Sequence, residues 1–587
     1  MPIRYCLSKS TGLLSTVTEG YTYKEGDVHY STSIKSHELF FSHTAGRWLY
    51  NEKAHQRARY MRFNVEGLTN LAAKVVGSPV IELRKLIDTN NRAVLLTHEN
   101  RTETVARIPT PISGPRTLTT ASEVATMDFV RRLGLPVPKV LAWSAIPEST
   151  EVKSEFILME KAVGRPLHEI VAERGVVDIE DLGRKVARML RPLVETRFNC
   201  YGSLFYKEDL DVSERIDDFL ANAPAGVDTS PFCVGPIVRR DFWEDERALM
   251  RNVYRGPWTS ALDFARDTAT REERWIERFA KPHFEDNFLC GHHLQGKQDD
   301  HILLLEDYKK LLPYIIPKDL RHLYGHLWHP RLSANTLFVV PSSASAATEP
   351  GGKVQVDITS CITWPGASIE PAFRQLTTPS VCRSLNAPRE LFPLSQAQSL
   401  DMYESTEYEK LRAAEEEKER REMFERIAFA GLGIDEEHLP GLMLRQEMDV
   451  MARGTWRTGL LPFRKALIEV ANNFHTIAPG EECPISFTAD QIGAQALAYK
   501  AWEMHKDCAA TVARKLGVEE SGYVRGGAAQ PEYFEHVQKE ATRWRDMFLS
   551  NVKDEKKRWV AQFYWPFRDT IEDDPRTFSS DIVKSKE

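Results

Sequence analysis

His326–Val340 reads HLWHPRLSANTLFVV. An apolar lead-in at Leu327 and Trp328 runs into a His-Pro pair at 329–330. A short polar run follows, and an apolar strand pattern resumes at Leu337–Val340. A polar loop held between apolar segments is a common way of presenting side chains from a rigid base. The residue after His-Pro is Arg331, and the residue five further on is Thr336. Neither can act as a general base or as a charged metal ligand, so the loop has the form of a reactive site without its usual groups.

Working outward, the segments before this loop change character once. Strand-like runs occupy Val80–Leu86, Ala93–Thr97 and Thr104–Ile108. A helix over Thr120–Leu133 follows, with Thr120 or Ser122 as its cap, and LPVPKVLAWS and SEFILMEKAVG supply two more strands. From Leu167 the pattern is mostly helical. VVPSSASAATEPGGKVQVDI is a Ser/Ala/Pro/Gly loop between two strands, the signature of a long hairpin connection. ESTEYEKLRAAEEEKERREMFERI carries opposite charges at helical spacing and reads as a solvated helix. The expectation is an α+β chain with a small sheet-rich lobe on a larger helical lobe and helical additions at both ends. Its divisions fall at a tail over 1–38, a helical extension over 39–79, the sheet lobe over 80–163 and the helical lobe over 164–400. A C-terminal helical region over 401–566 and a polar tail over 567–587 complete it.

Composition narrows the function classes. The chain has 587 residues, 42% hydrophobic and 27% charged, with a formal net charge of −7. That balance argues against nucleic-acid binding through a broad basic face. No apolar run approaches the roughly 20 residues of a membrane span. None of the eight cysteines forms a CxxC pair, so neither a zinc ribbon nor a redox pair is indicated. CGHH at Cys290–His293, with His283 and His301 nearby, matches no zinc spacing and reads as a surface loop. No Gly-x-Ser-x-Gly or HExxH motif is present. The first residues contain Arg4 and Lys9 and no acid before Glu19, which is compatible with a mitochondrial transit peptide and equally with a frayed cytoplasmic N-terminus.

The runs TAGRWLYNE, VARIPTPISGP, TTASEVATMDFVR, LPVPKVLAWS, FILMEKAVG, YGSLFYKEDL, FWEDERA, RGPWTS and PISF, together with the loop at His329, resemble the aminoglycoside-phosphotransferase-like branch of the protein-kinase-like fold. More narrowly, they resemble the fungal group that includes the altered inheritance of mitochondria proteins. The resemblance implies a two-lobed fold with a nucleotide site between the lobes. It places Arg107 as the phosphate-contacting base, Glu123 as its helix partner, and Met159 and Lys161 on the hinge that would meet adenine.

Three departures bear on activity. Arg331 stands where the family carries the catalytic aspartate, and Thr336 where it carries the metal-binding asparagine. Thr363, before Trp364, stands at the degenerate metal-ligand position. Asp357 lies six strand residues away, about 20 Å, too far to replace it. The segment aligned with the phosphate-covering loop, KLIDTNNRAVLL, has no glycine to let backbone N–H groups approach phosphate, although Asn90 and Asn91 suit a turn. The expectation is therefore a pseudokinase with a binding or scaffold role, no protein-bound metal and no cofactor, ATP and magnesium being expected only with residual activity. Its partner would be a protein or a small molecule in the interlobe cleft. The alternatives are a repurposed enzyme that uses Arg331 to anchor an anionic group, or a residual small-molecule phosphotransferase.

Overall fold

The computed structural model describes residues 34–86, 91–174, 177–280, 296–342, 354–383, 407–429, 439–526 and 530–550, with the tail strands 4–5, 22–25 and 28–30 and residues 553, 565 and 567. CGHH and its neighbour His283, the hairpin tip that includes Asn90, and the linker of the long hairpin lie outside the described residues.

The tail contributes β1 (Arg4–Tyr5), β2 (Thr22–Glu25) and β3 (Val28–Tyr30), and β4 is Gly46–Trp48. The sheet lobe contains β5 (Val80–Lys85), β6 (Asn91–His98), β7 (Glu103–Pro109), β8 (Val140–Ser144) and β9 (Phe156–Glu160). Their order is β8-β9-β7-β6-β5, all antiparallel, with the helix Leu118–Arg132 inserted between β7 and β8. β1 pairs at the β8 edge and β2 at the β5 edge, so parts of the tail extend the sheet by backbone pairing.

Both faces of this sheet are covered, which explains why β6 is buried nearly throughout rather than at alternate positions, with Ala93–Leu96 as a continuous apolar run. On one face the helix Val65–Val76 sets Leu68, Leu71 and Ala72 against Leu83, Leu96, Ala106 and Ile108. On the other, Val124, Met127 and Phe129 of the 118–132 helix join Ile157, Met159 and the core of the helical lobe. That helix starts two residues earlier than the sequence suggests. Thr120 and Ser122 are buried inside it and are not caps; the Thr120 hydroxyl instead donates to buried Glu155 (2.6 Å).

In the helical lobe β10 (Arg165–Pro166) pairs with β14 (Leu337–Pro341), which forms the expected long hairpin with β15 (Val356–Cys361). β11 (Ser203–Tyr206) pairs with β12 (Phe232–Gly235), and β13 (Gly325–Trp328) with β16 (Ser368–Pro371). The amphipathic helix Ile179–Glu195 buries Leu182, Val186, Leu190 and Leu193 beneath them, with Asp178 capping its start by accepting from the Asp181 N–H (3.1 Å). The charged helix Glu407–Ala428 is anchored rather than wholly solvated: Phe424 and Ala428 are buried in the same core. It lies close to Gly183, where a Cβ would come within 2.8 Å of the Met423 methyl.

The additions at the two ends form one unit. β4 pairs with β17 (Tyr523–Arg525), Trp48 stacks on His55 (4.6 Å between centroids), and Tyr50 joins Ala509, Ala513 and Phe534 in a common core. The helix Ala489–Leu516, started by a Thr488–Gln491 capping box and ended by left-handed Gly517, links this unit to the helical lobe. Gln495 in it donates to the Leu461 carbonyl (2.8 Å).

Candidate functional site

The site lies where β7, the 118–132 helix, the loop between β13 and β14, and the turn after β15 meet. Arg107 comes from the middle of β7 and Glu123 from the second turn of the helix; only 10% and 3% of their side chains are exposed. The guanidinium engages the carboxylate through both terminal nitrogens, Nη1 to Oε1 and Nη2 to Oε2 (3.0 Å). Glu123 Oε1 also accepts the backbone N–H of Trp364 (3.1 Å). The expected pair thus forms, but a third element closes it. Both terminal nitrogens of Arg107 are committed to Glu123, and Glu123 is committed to the turn after β15.

The loop 329–336 is equally self-contained. The His329 imidazole donates from Nε2 to the Ile362 carbonyl (3.0 Å) and accepts at Nδ1 the Arg331 N–H (3.1 Å), which fixes its neutral tautomer. Burial pushes its pKa down to about 4, only partly offset by the carbonyl it bonds. The ring stands edge-on to Trp364 at 4.5 Å. Thr336 is buried; its hydroxyl accepts the Ser333 N–H (3.0 Å) and lies within bonding distance of the Arg331 and Ser333 carbonyls (3.1 and 3.2 Å). Two further loop carbonyls are also taken: Leu332 accepts from Ser380 (3.1 Å) and Ala334 from the His168 N–H (3.1 Å). Arg331 is exposed, and no carboxylate among the described residues pairs with it.

Thr363 sits on the same turn with φ +74°, a left-handed conformation that costs a β-branched residue about 1–2 kcal/mol. Its neighbours impose it. Ile362 N–H bonds the Thr336 carbonyl (2.9 Å), and Trp364 is tied to Glu123. Asp357, at the far end of β15, is bound to Lys185 (2.8 Å) and takes no part.

On the hinge, Met159 is buried in β9, opposite Val105 and Val140. Lys161 bonds Glu103 (2.5 Å) in an exposed pair. On the hairpin expected to cover phosphate, Asn91 is not a turn residue but a buried member of β6. Lys85 donates to the carbonyls of Leu39 and Ser42 and to Thr44 (2.6–2.8 Å), and Arg92 to those of Phe41 and Arg59. Lys85 and Arg92 of this hairpin therefore hold the N-terminal extension.

A divalent ion of the kind this fold binds needs oxygen ligands carrying negative charge. At its two expected positions the chain offers one hydroxyl already bonded within its loop and one threonine, so the residues do not fit a metal. Among the described residues no cluster of three or more His, Cys, Asp or Glu side chains is arranged to hold one elsewhere, and no helix is long and apolar enough to cross a membrane.

The sheet-rich lobe with its inserted helix, set on a larger helical lobe, forms a protein-kinase-like two-lobed fold. The sequence relatives are the fungal ones the motifs suggest. The chain is 28% identical over 523 residues to a subtelomeric hrmA-associated cluster protein of Aspergillus fumigatus, covering 82% of this chain and 95% of that one. It is 26% identical over 347 residues to Altered inheritance of mitochondria protein 9, mitochondrial, of Candida dubliniensis, covering 50% of this chain and 54% of the relative. Among solved structures it is similar to the amicoumacin kinase hAmiN in complex with AMP-PNP, Ca2+ and Ami, at 14% identity and a TM-score of 0.31, covering 78% and 94% of the two chains. No family model matches the chain.

Sequence reading missed the contacts that close the site. The Trp364 N–H bond to Glu123 is a backbone contact across 241 residues, which no side-chain pattern signals.

Proposed function

We propose that the chain is a phosphotransferase-like pseudokinase with a non-catalytic binding or scaffold role in mitochondria. The observation that carries this reading is the chemistry of three positions. Arg331 cannot take a proton from an attacking hydroxyl, Thr336 spends its hydroxyl inside the loop, and Thr363 offers no carboxylate to a metal. Losing such groups together removes the charge stabilisation on which phosphoryl transfer depends. The mitochondrial part is supported by the name of the Candida dubliniensis relative and by the basic, acid-free start of the chain, a cytoplasmic location being the alternative. Exposed, unpaired Arg331 favours a second reading, an enzyme that uses the cleft to hold an anionic small molecule without phosphoryl transfer.

ATP with and without magnesium, titrated against the melting temperature of the full chain, tests the proposal by linkage. The expected result is little or no shift and no magnesium enhancement. A large magnesium-dependent stabilisation would overturn it.

A further inference from the structure

Behind the turn that carries Thr363, the helical lobe and the C-terminal region meet across a charged junction. Arg239 follows β12, Arg271 lies on the helix Ala261–Phe279, Glu370 ends β16, and Arg374 lies on the short helix Ala372–Gln375. Asp449 and Arg453 come from the helix Leu442–Ala452 and its C-cap. Most of these charges are matched. Arg239 bonds Asp241 through Nε and Nη2 (2.7 and 2.8 Å) and Glu370 through Nη1. Arg453 bonds Glu370 (2.9 Å) and Asp449 (2.8 Å), and Arg374 lies 2.7 Å from Asp449. Although burial pushes the Glu370 carboxyl up, Arg239, Arg453 and Arg374 pull it down to about 2.

Arg271 is the exception. It is 1% exposed and has no carboxylate within 4.0 Å among the described residues. Its Nη2 donates to the Arg453 carbonyl (2.8 Å), and its guanidinium lies 3.9 Å from the centre of the Phe242 ring. Its Nε and Nη1 find no acceptor among the described residues. Burial pulls its pKa down to about 10, against the attraction of Asp241 and Glu272 farther out and with the lesser repulsion of Arg247 and Arg239. Glu272 itself is committed through Oε2 to Arg247 (2.7 Å). A buried guanidinium with free donors and no carboxylate in contact is costly unless an anion meets it.

The junction is open on one side. Arg453, Arg239 and Asp241 keep 16%, 18% and 28% of their side chains exposed. Gly366, three residues past Thr363, borders this side, since a Cβ there would sit 3.6 Å from the Arg239 Cα. The mouth therefore lies beside the site that lost its metal ligands.

We propose that this junction binds a small oxyanion, the carboxylate or phosphate group of a metabolite, between Arg239, Arg271 and Arg453. The ligand would tie the C-terminal helices to the helical lobe at the edge of the cleft. The proposal does not depend on the pseudokinase reading, because none of these residues belongs to the nucleotide or metal positions.

The test is a titration of the full chain with inorganic phosphate and, separately, acetate, replacing chloride at constant ionic strength and following the melting temperature. A saturable rise with phosphate or with acetate is expected, and the active arm identifies the ligand class. Arg271→Gln should weaken the response by about tenfold or more, since it removes the unmatched charge. Asp241→Asn should strengthen it by about threefold, because a carboxylate at the mouth repels the anion. This second variant keeps the test decisive if Arg271→Gln does not fold, and a merely structural role would not improve anion affinity. No saturable rise in either arm, or an Asp241→Asn response equal to or weaker than wild type, would overturn the site. Equal curves for wild type and Arg271→Gln would do the same, showing general salt stabilisation. ATP binding in the earlier titration would leave this result untouched, so the two readings fail separately.

Discussion

If the Arg107–Glu123 pair is a structural staple, removing one partner should cost far more than removing both. In Glu123→Ala the Arg107 guanidinium keeps its charge at 10% side-chain exposure with no carboxylate, and the Trp364 N–H loses its acceptor. Breaking a buried pair in this way costs about 3–5 kcal/mol, with the orphaned N–H contributing about 1–3 kcal/mol within or beyond that range. Glu123→Gln keeps an acceptor for Trp364 and should fall in the lower half. The double variant Arg107→Met/Glu123→Leu replaces two opposed charges by apolar groups of similar length. It should lie within about 2 kcal/mol of wild type, because the desolvation cost of both charges disappears with their attraction. Urea denaturation at pH 7, followed by tryptophan fluorescence, gives the free energies of wild type and the three variants. A Glu123→Ala loss under about 1 kcal/mol, or a double variant as unstable as the single, would refute the reasoning. It would mean that the pair is solvated and free to turn toward a ligand.

Two further outcomes follow from the neighbouring turn. Burial holds both His326 and His329 down to about 4, from an ordinary 6.5. The unfolded chain then binds more protons between these values, so each histidine contributes stability that is complete above pH 6.5 and is lost as pH falls toward 4. The loss is about 3 kcal/mol per group, close to 1 kcal/mol per pH unit near pH 5. Urea midpoints at several pH values should show this slope, and His329→Gln should flatten it; an unchanged slope would refute the assignment. Thr363→Gly should relieve left-handed strain and, after the added backbone entropy of glycine, raise stability by about 0.5–1 kcal/mol in the same assay. A loss instead would mean that the Thr363 side chain contributes packing that outweighs its strain.

The lobes were legible in the sequence because local patterns determine them. Five strand segments around one helix appear where periodicity puts them, and the Ser/Ala/Pro/Gly run marks a true hairpin between β14 and β15. The 118–132 helix shifted by two residues because buried Thr120 and Ser122 look like caps by residue type alone. The pairing of Arg107 with Glu123 followed from the family resemblance, but its closure by Trp364 did not. The union of β4 with β17 was likewise hidden, since a three-residue strand carries no signal for a partner more than 470 residues away. The arginine junction behind Gly366 was invisible for a different reason. Its charges come from five separate elements, and each looks like surface composition until the fold brings it inside.

The loop at His329 keeps its shape because its residues hold parts of the molecule together. A catalytic loop must leave its polar atoms pointing at substrate, and so tolerates unsatisfied groups that binding later completes. Here the opposite holds. His329 ties the loop to Ile362, Thr336 ties its ends to each other, Ser380 and His168 take the carbonyls between, and the turn it supports reaches Glu123 through Trp364. Asparagine at 336 would remove the hydroxyl that bonds Ser333 and Arg331, whereas the exposed side chain at 331 takes no part in the network. The network accounts for the shape of the His-Pro loop by structural bonds that do not involve the side chain at position 331.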